Sequence, residues 1–227
     1  MNEIQNLAKY FDHTNLKNNL SFAEVEEFCN EAVENGFFAV CLQPYYVPFA
    51  VSKLKTTSVR VVSVVDFPYG SSLRKAKVAA VENLVKTSLD EIDIVMNLPA
   101  FLNKDYGLVE KEISDSLEIC RASNVKLKVI IETGFLQPEE IALATRLLCD
   151  IGVDFVKTST GILSRGASYD DVKIIRENLS GNTKIKASGG IRTLEQVYNF
   201  INLGVARIGT SASLQIIREY EQQFKNE

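Results

Sequence analysis

The chain is short of the residues that build disulfide frameworks and metal centres. Its four cysteines (Cys29, Cys41, Cys120 and Cys149) lie far apart with no C-x-x-C pair, and His13 is its single histidine. That pattern favours reduced thiols in a cytosolic protein over a disulfide framework or a zinc site. Long apolar runs are missing as well. None approaches the length that crosses a membrane, and residues 1–15 are polar and mixed in charge with no signal-like core. Basic residues are scattered, so no stripe suits nucleic acid. No linker, low-complexity tract or close repeat divides the sequence. These absences lead us to expect a cytoplasmic protein of one domain, residues 1–227, with neither a metal site nor a nucleic-acid or membrane partner.

What is present is ordinary globular composition: 227 residues, 46% apolar, 24% charged and a net charge of -4. That length suits one large core and is short for two domains. Short β-rich runs alternate with amphipathic helical runs, eight times over. The expected strands are Tyr10–Thr14, Phe38–Gln43, Arg60–Asp66, Glu91–Asn97, Lys126–Glu132, Asp154–Thr158, Thr183–Ala187 and Val205–Gly209. Several are apolar throughout, as in parallel strands buried on both faces. Ser21-Phe22-Ala23-Glu24 reads as a capping box, followed by apolar Val25, Phe28, Cys29, Ala32 and Val33 and a stop at Gly36. Gln137-Pro138-Glu139-Glu140, Ser168-Tyr169-Asp170-Asp171 and Thr193-Leu194-Glu195-Gln196 are further helix starts, and a last helix runs from about Ser211 toward Phe224. Eight β-then-α units fit a single-domain (β/α)8 TIM barrel of the α/β class, typically about 250 residues. A doubly wound sheet competes, but the glycine fingerprint of its dinucleotide-binding form is missing.

Barrel enzymes carry their chemistry at the C-terminal ends of strands, so polar residues embedded in apolar strands are informative. Lys157 lies in Asp154-Phe155-Val156-Lys157-Thr158 and Lys186 in Thr183-Lys184-Ile185-Lys186-Ala187. A buried lysine loses hydration that only a partner can replace. Two on neighbouring strands repel, and both effects are expected to lower their pKa values. An uncharged amine can attack a carbonyl and form a Schiff base. Asp93, within Ile92-Asp93-Ile94, needs a nearby ammonium or water. A purely structural ion network inside the barrel is the competing explanation. Two lysines and one aspartate cannot all be neutralised pairwise, which weighs toward function.

Ser188-Gly189-Gly190-Ile191-Arg192-Thr193 follows strand seven and Ile208-Gly209-Thr210-Ser211-Ala212 follows strand eight, each leading into a helix. Small residues let main-chain N–H groups approach an anion at a helix start, and barrels commonly hold phosphate there. His13 reads as a satisfied structural histidine, Cys41 as a small core residue without a neighbour to ionise it, and Arg165 as a loop arginine with a possible role toward an anion. Lys128 and Glu132 suggest one more internal ion pair.

Phe155-Val156-Lys157-Thr158-Ser159-Thr160-Gly161 closely resembles the deoxyribose-phosphate aldolases, class I aldolases of the (β/α)8 type. The likeness extends through Asp12-His13-Thr14, Val40-Cys41-Leu42-Gln43-Pro44, Asp66-Phe67-Pro68-Tyr69-Gly70, Glu91-Ile92-Asp93-Ile94-Val95, Lys128-Val129-Ile130-Ile131-Glu132-Thr133-Gly134 and Lys186-Ala187-Ser188-Gly189-Gly190. It implies cleavage of 2-deoxy-D-ribose 5-phosphate to D-glyceraldehyde 3-phosphate and acetaldehyde without metal or cofactor, in deoxynucleoside catabolism, by a homodimer. It further implies Lys157 as the Schiff-base lysine, Lys186 as the cation that depresses its pKa, and Asp93 as the acid/base. Asp12 and Thr14 would supply a hydrogen-bond relay, with Cys41 in support. Thr160, Gly189, Gly190, Gly209 and Ser211 would bind phosphate. Ile162 stands where some relatives have a lysine and Ala212 where some have a serine, so phosphate binding leans on backbone groups, Ser211 and Arg165. A related aldolase or transaldolase, a phosphosugar isomerase and a non-catalytic binding barrel are the alternatives. The isomerase leaves two buried lysines unexplained.

Overall fold

The computed structural model describes residues 4–224, so the C-terminal end Lys225-Asn226-Glu227 lies outside them. Among the described residues eight parallel strands close in sequence order into a barrel. They are β1 (Phe11–Asn15), β2 (Ala39–Leu42), β3 (Arg60–Val65), β4 (Glu91–Val95), β5 (Lys126–Ile130), β6 (Phe155–Lys157), β7 (Lys184–Ser188) and β8 (Arg207–Thr210). Every expected strand is present, shifted or trimmed by a residue or two at its ends. The helices between them are α1 (Phe22–Glu34), α2 (Val47–Leu54), α3 (Arg74–Val85), α4 (Leu98–Leu102), α5 (Tyr106–Ala122), α6 (Pro138–Ile151), α7 (Tyr169–Asn178), α8 (Leu194–Asn202) and α9 (Ser213–Phe224). The short α4 is an addition that the alternation does not announce. No helix among the described residues is long and apolar enough to cross a membrane.

The helix starts form as their sequences dictate. Ser21 and Glu24 exchange side-chain and main-chain bonds in a capping box, as do Gln137 with Glu140 and Thr193 with Gln196. Ser168 accepts from the Asp171 N–H. Val33 departs from expectation: it is exposed on α1, because Val25, Phe28, Cys29 and Ala32 already complete the buried stripe.

Alternate strand residues point into the lumen or out toward the helices. The outward set, including Val40, Leu42, Ile92, Ile94, Leu127, Val129, Val156 and Ile208, builds the main apolar core. The lumen divides by chemistry. On β2 and β3 it is apolar: Ala39, Cys41, Val62 and Val64 form a separate cluster. From β4 around to β1 it is charged, with Glu91, Asp93, Lys128, Lys157, Lys186, Arg207 and Asp12 all buried.

Candidate active site

Strand register puts the charged residues side by side. Asp93 pairs with Lys128 between β4 and β5, Lys157 with Lys186 between β6 and β7, and Lys186 with Arg207 between β7 and β8. Lys157 Nζ donates to Asp93 Oδ2 at 2.7 Å, and Lys186 Nζ donates to the same oxygen at 2.6 Å. Lys186 also donates to Asp12 Oδ2. Lys128 holds the other Asp93 oxygen at 2.8 Å and Glu91 at 2.7 Å. Arg207 bonds Asp12 Oδ1 at 2.8 Å and Glu91 Oε2 at 3.1 Å.

The two lysines that the sequence singled out therefore have opposite electrostatics. Burial pulls Lys157 down, Asp93 pulls it up and Lys186 pushes it down again; the net shift is downward. Burial also acts on Lys186, but Asp12 and Asp93 together outweigh it and its pKa is raised. The expectation that both lysines shift down is corrected: repulsion acts on the one with fewer carboxylates. Burial would raise Asp93, yet Lys128, Lys157 and Lys186 hold it well below the usual carboxylate range. Asp12 is held at about 2, because Lys186, Arg207 and Lys128 outweigh its burial. Lys128 and Arg207 are raised by their carboxylates against desolvation.

Lys128, Lys157, Lys186 and Arg207 face three carboxylates, Asp12, Glu91 and Asp93. With the carboxylates ionised, one base is surplus. Lys157 is the one with a single bonded carboxylate, and it alone of the four lines the cavity above the barrel.

That cavity, about 650 Å³, is also lined by Thr14, Thr160, Gly189, Gly190, Gly209 and Ser211, so the lysine and both anion-type loops share one space. Gly189 has φ 94° and packs against the backbone of Gly161 and Gly166, where any Cβ would collide. This contact docks the loop after β6 on the loop after β7. Gln196 takes the N–H groups of Arg192 and Thr193, Thr210 takes that of Ala212, and Glu132 takes that of Thr160. No partner among the described residues takes the N–H groups of Gly189, Gly190 or Ser211. Thr160 contributes at most its hydroxyl, which accepts from the Ile162 N–H at 3.2 Å.

Other expectations change. Arg165 is committed to Asp171 through a two-pronged pair and does not line the cavity; Lys17 and Arg192 do line it. Lys128 and Glu132 do not pair. Lys128 points into the lumen, whereas Glu132, past the end of β5, binds the Thr160 N–H at 2.9 Å and Ser164 Oγ at 2.6 Å. Thr14 donates to the main-chain carbonyl of Asp12 at 2.8 Å rather than joining the carboxylate. His13 is satisfied structurally, stacked on Phe28 and bonded to Ser213 and Glu31, although its edge reaches the cavity. Burial pushes the Cys41 thiol up to about 11, with Asp93 adding to the effect. Arg207 and Glu91 were not foreseen. They lie at strand starts, where charged residues ordinarily reach solvent.

The family model for DeoC/LacD family aldolase matches residues 6–212. Among curated relatives, the deoxyribose-phosphate aldolase of Aciduliprofundum boonei is 42% identical over 96% of this chain and 99% of its own length. That of Dictyoglomus turgidum is 43% identical over 93% and 95%. Among solved structures, the aldolase QR15 superposes with a TM-score of 0.92 at 37% identity, covering 98% of this chain and 99% of its own. A tetrameric deoxyribose phosphate aldolase from Aeropyrum pernix superposes with 0.89 at 25% identity, covering 96% and 92%.

Proposed function

The chain belongs to the DeoC/LacD aldolase family, and on that premise we propose that it cleaves 2-deoxy-D-ribose 5-phosphate reversibly to D-glyceraldehyde 3-phosphate and acetaldehyde through a Schiff base on Lys157. One observation carries the reading: the surplus base of a buried ionic network is a lysine with a lowered pKa, and it opens into a cavity that two glycine-containing loops also line.

In this scheme the 5-phosphate binds the main-chain N–H groups of Gly189, Gly190 and Ser211, with Arg192 and Lys17 adding positive charge at the rim. Anchoring that end orients the aldehyde toward Lys157, so remote binding energy is used for alignment. The neutral amine attacks C1, and the carbinolamine loses water to give a protonated imine. The imine draws the electron pair of the C2–C3 bond toward its nitrogen as the C3 hydroxyl gives up its proton. D-Glyceraldehyde 3-phosphate leaves, and the C2 carbon remains as an enamine. Protonation at C2 and hydrolysis return acetaldehyde and the free lysine. Asp93, bonded to Lys157, is the group placed to pass protons, directly or through water. Lys186 stays charged beside it. The imine supplies the electron sink, so the scheme calls for no metal.

The test is turnover of 2-deoxy-D-ribose 5-phosphate with both products quantified, in the presence and absence of EDTA. Equimolar acetaldehyde and D-glyceraldehyde 3-phosphate, at a rate EDTA leaves unchanged, is the expected result. No cleavage by folded protein would contradict the substrate, and loss of activity with EDTA would contradict the metal-free route.

A further inference from the structure

The lumen network has two tiers. Lys157 lines the cavity and shares Asp93 with Lys186, while Glu91, Lys128 and Arg207 do not line it, and Glu91 and Arg207 are the first residues of their strands. Asp93 and Asp12 connect the tiers with one oxygen each way. Asp93 Oδ2 faces Lys157 and Lys186 while its Oδ1 faces Lys128. Asp12 Oδ2 faces Lys186 while its Oδ1 faces Arg207. Glu91 closes the circuit below by bridging Lys128 and Arg207. The rings of Phe38 and Phe155 cover Arg207 at 3.4 and 5.5 Å from their centroids, so the lower tier is sheltered from bulk screening.

We propose that Glu91, Lys128 and Arg207 are positioning residues that fix the pH at which Lys157 is a free amine, by setting how much of Asp93 and Asp12 is left for the upper lysines. This rests on the reading of Lys157 as the reacting amine. The mechanism is charge count: four bases and three carboxylates leave one base without a carboxylate of its own, and in a buried lumen that imbalance falls on the group with the fewest partners. Lys17, Glu31 and Arg192 share the cavity with Lys157. Asp93, Lys186 and Cys41 adjoin it from β4, β7 and β2, and Cys41 is held as a neutral thiol. Asp12, Lys128, Glu91 and Arg207 act through the network. The inward residues of β3, Val62 and Val64, are apolar, and His13 turns to Ser213 and Glu31.

The count makes predictions of opposite sign. Glu91→Gln leaves four bases on two carboxylates, so Lys157 should lose its proton more readily. Lys128→Met leaves three bases on three carboxylates, so Lys157 should hold it. The readout is the rate of cyanoborohydride-trapped acetaldehyde adduct on Lys157 as a function of pH. The midpoint should fall in Glu91→Gln and rise in Lys128→Met, by about one pH unit each. The double variant restores a surplus of one base. Replacing both members of a buried pair is also far gentler on folding than removing one, so it should fold with a midpoint near the unsubstituted protein's. Midpoints that stay fixed in folded variants, that move in the same direction, or that fail to return in the double variant would overturn the proposal. A wild-type protein that traps no adduct on Lys157 would overturn the Schiff-base reading itself, and this proposal with it.

Discussion

Two regions of this molecule bury a lysine, and they do it for different ends. Between α3 and α5, Lys77 Nζ donates to the carbonyls of Gly70 and Val95, both at 2.9 Å, and to Glu112 Oε1 at 2.5 Å. Asp66 lies 3.4 Å away. All three ammonium protons have acceptors, and those acceptors tie the loop after β3 to the end of β4. In the lumen, Lys157 has one bonded carboxylate, which it shares with Lys186, and it faces open space. A lysine enclosed by acceptors holds structure together. A lysine left short of them, beside another cation, is the one with chemistry available. Burial alone does not separate the two; the number of acceptors does.

The largest break in this comparison is Lys157→Met. Turnover should fall by about a thousandfold or more, as expected when a covalent nucleophile is removed. The fold should persist, because Asp93 keeps Lys128 and Lys186. Steady-state rates with circular dichroism check both halves, and residual cleavage near the unsubstituted rate would sink the assignment. Lys186→Leu comes next. With that cation gone, Asp93 pulls Lys157 upward, so the acid limb of kcat/KM should move about 1–3 units to higher pH; an unmoved limb would count against its role.

Lys77→Met should show the reverse pattern. Leaving Glu112 buried without its cation should cost about 3–5 kcal/mol in urea unfolding, while the acid limb of the folded protein stays where it was. A shifted limb would erase the distinction between the two regions. Cys41→Ala should do least. The thiol is neutral until about pH 11, so the profile below pH 9 should not move, and stability should fall by only about 1 kcal/mol. A changed acid limb in that variant would place Cys41 among the charged groups after all.

These regions were unequally legible in the sequence. Asp93, Lys157 and Lys186 stood out because each interrupts a short apolar strand, and their strand order was enough to converge them. Glu91 and Arg207 were hidden because they open their strands, where a charge ordinarily meets water. Only the register, which sets Val62 beside Glu91 and Lys186 beside Arg207, reveals that both face inward. Lys77 was hidden differently. It shares a helix face with Val81 and Leu84 at a four- then three-residue spacing, all three buried, but it closes the basic run Arg74-Lys75-Ala76-Lys77, which reads as a solvated helix start. Arg165 looked available to an anion because loop sequence carries no record of its partner Asp171, six residues on at the start of α7. Local pattern located the strands and their odd residues; pairings made across the barrel required the fold.

The most direct measurement is borohydride reduction of the protein with acetaldehyde, read by intact mass and then by peptide mapping. The Schiff-base assignment predicts one ethyl group, located on Lys157, with Lys77 and Lys186 unmodified. An ethyl group on Lys186 instead, or no adduct on any buried lysine of folded protein, would contradict it.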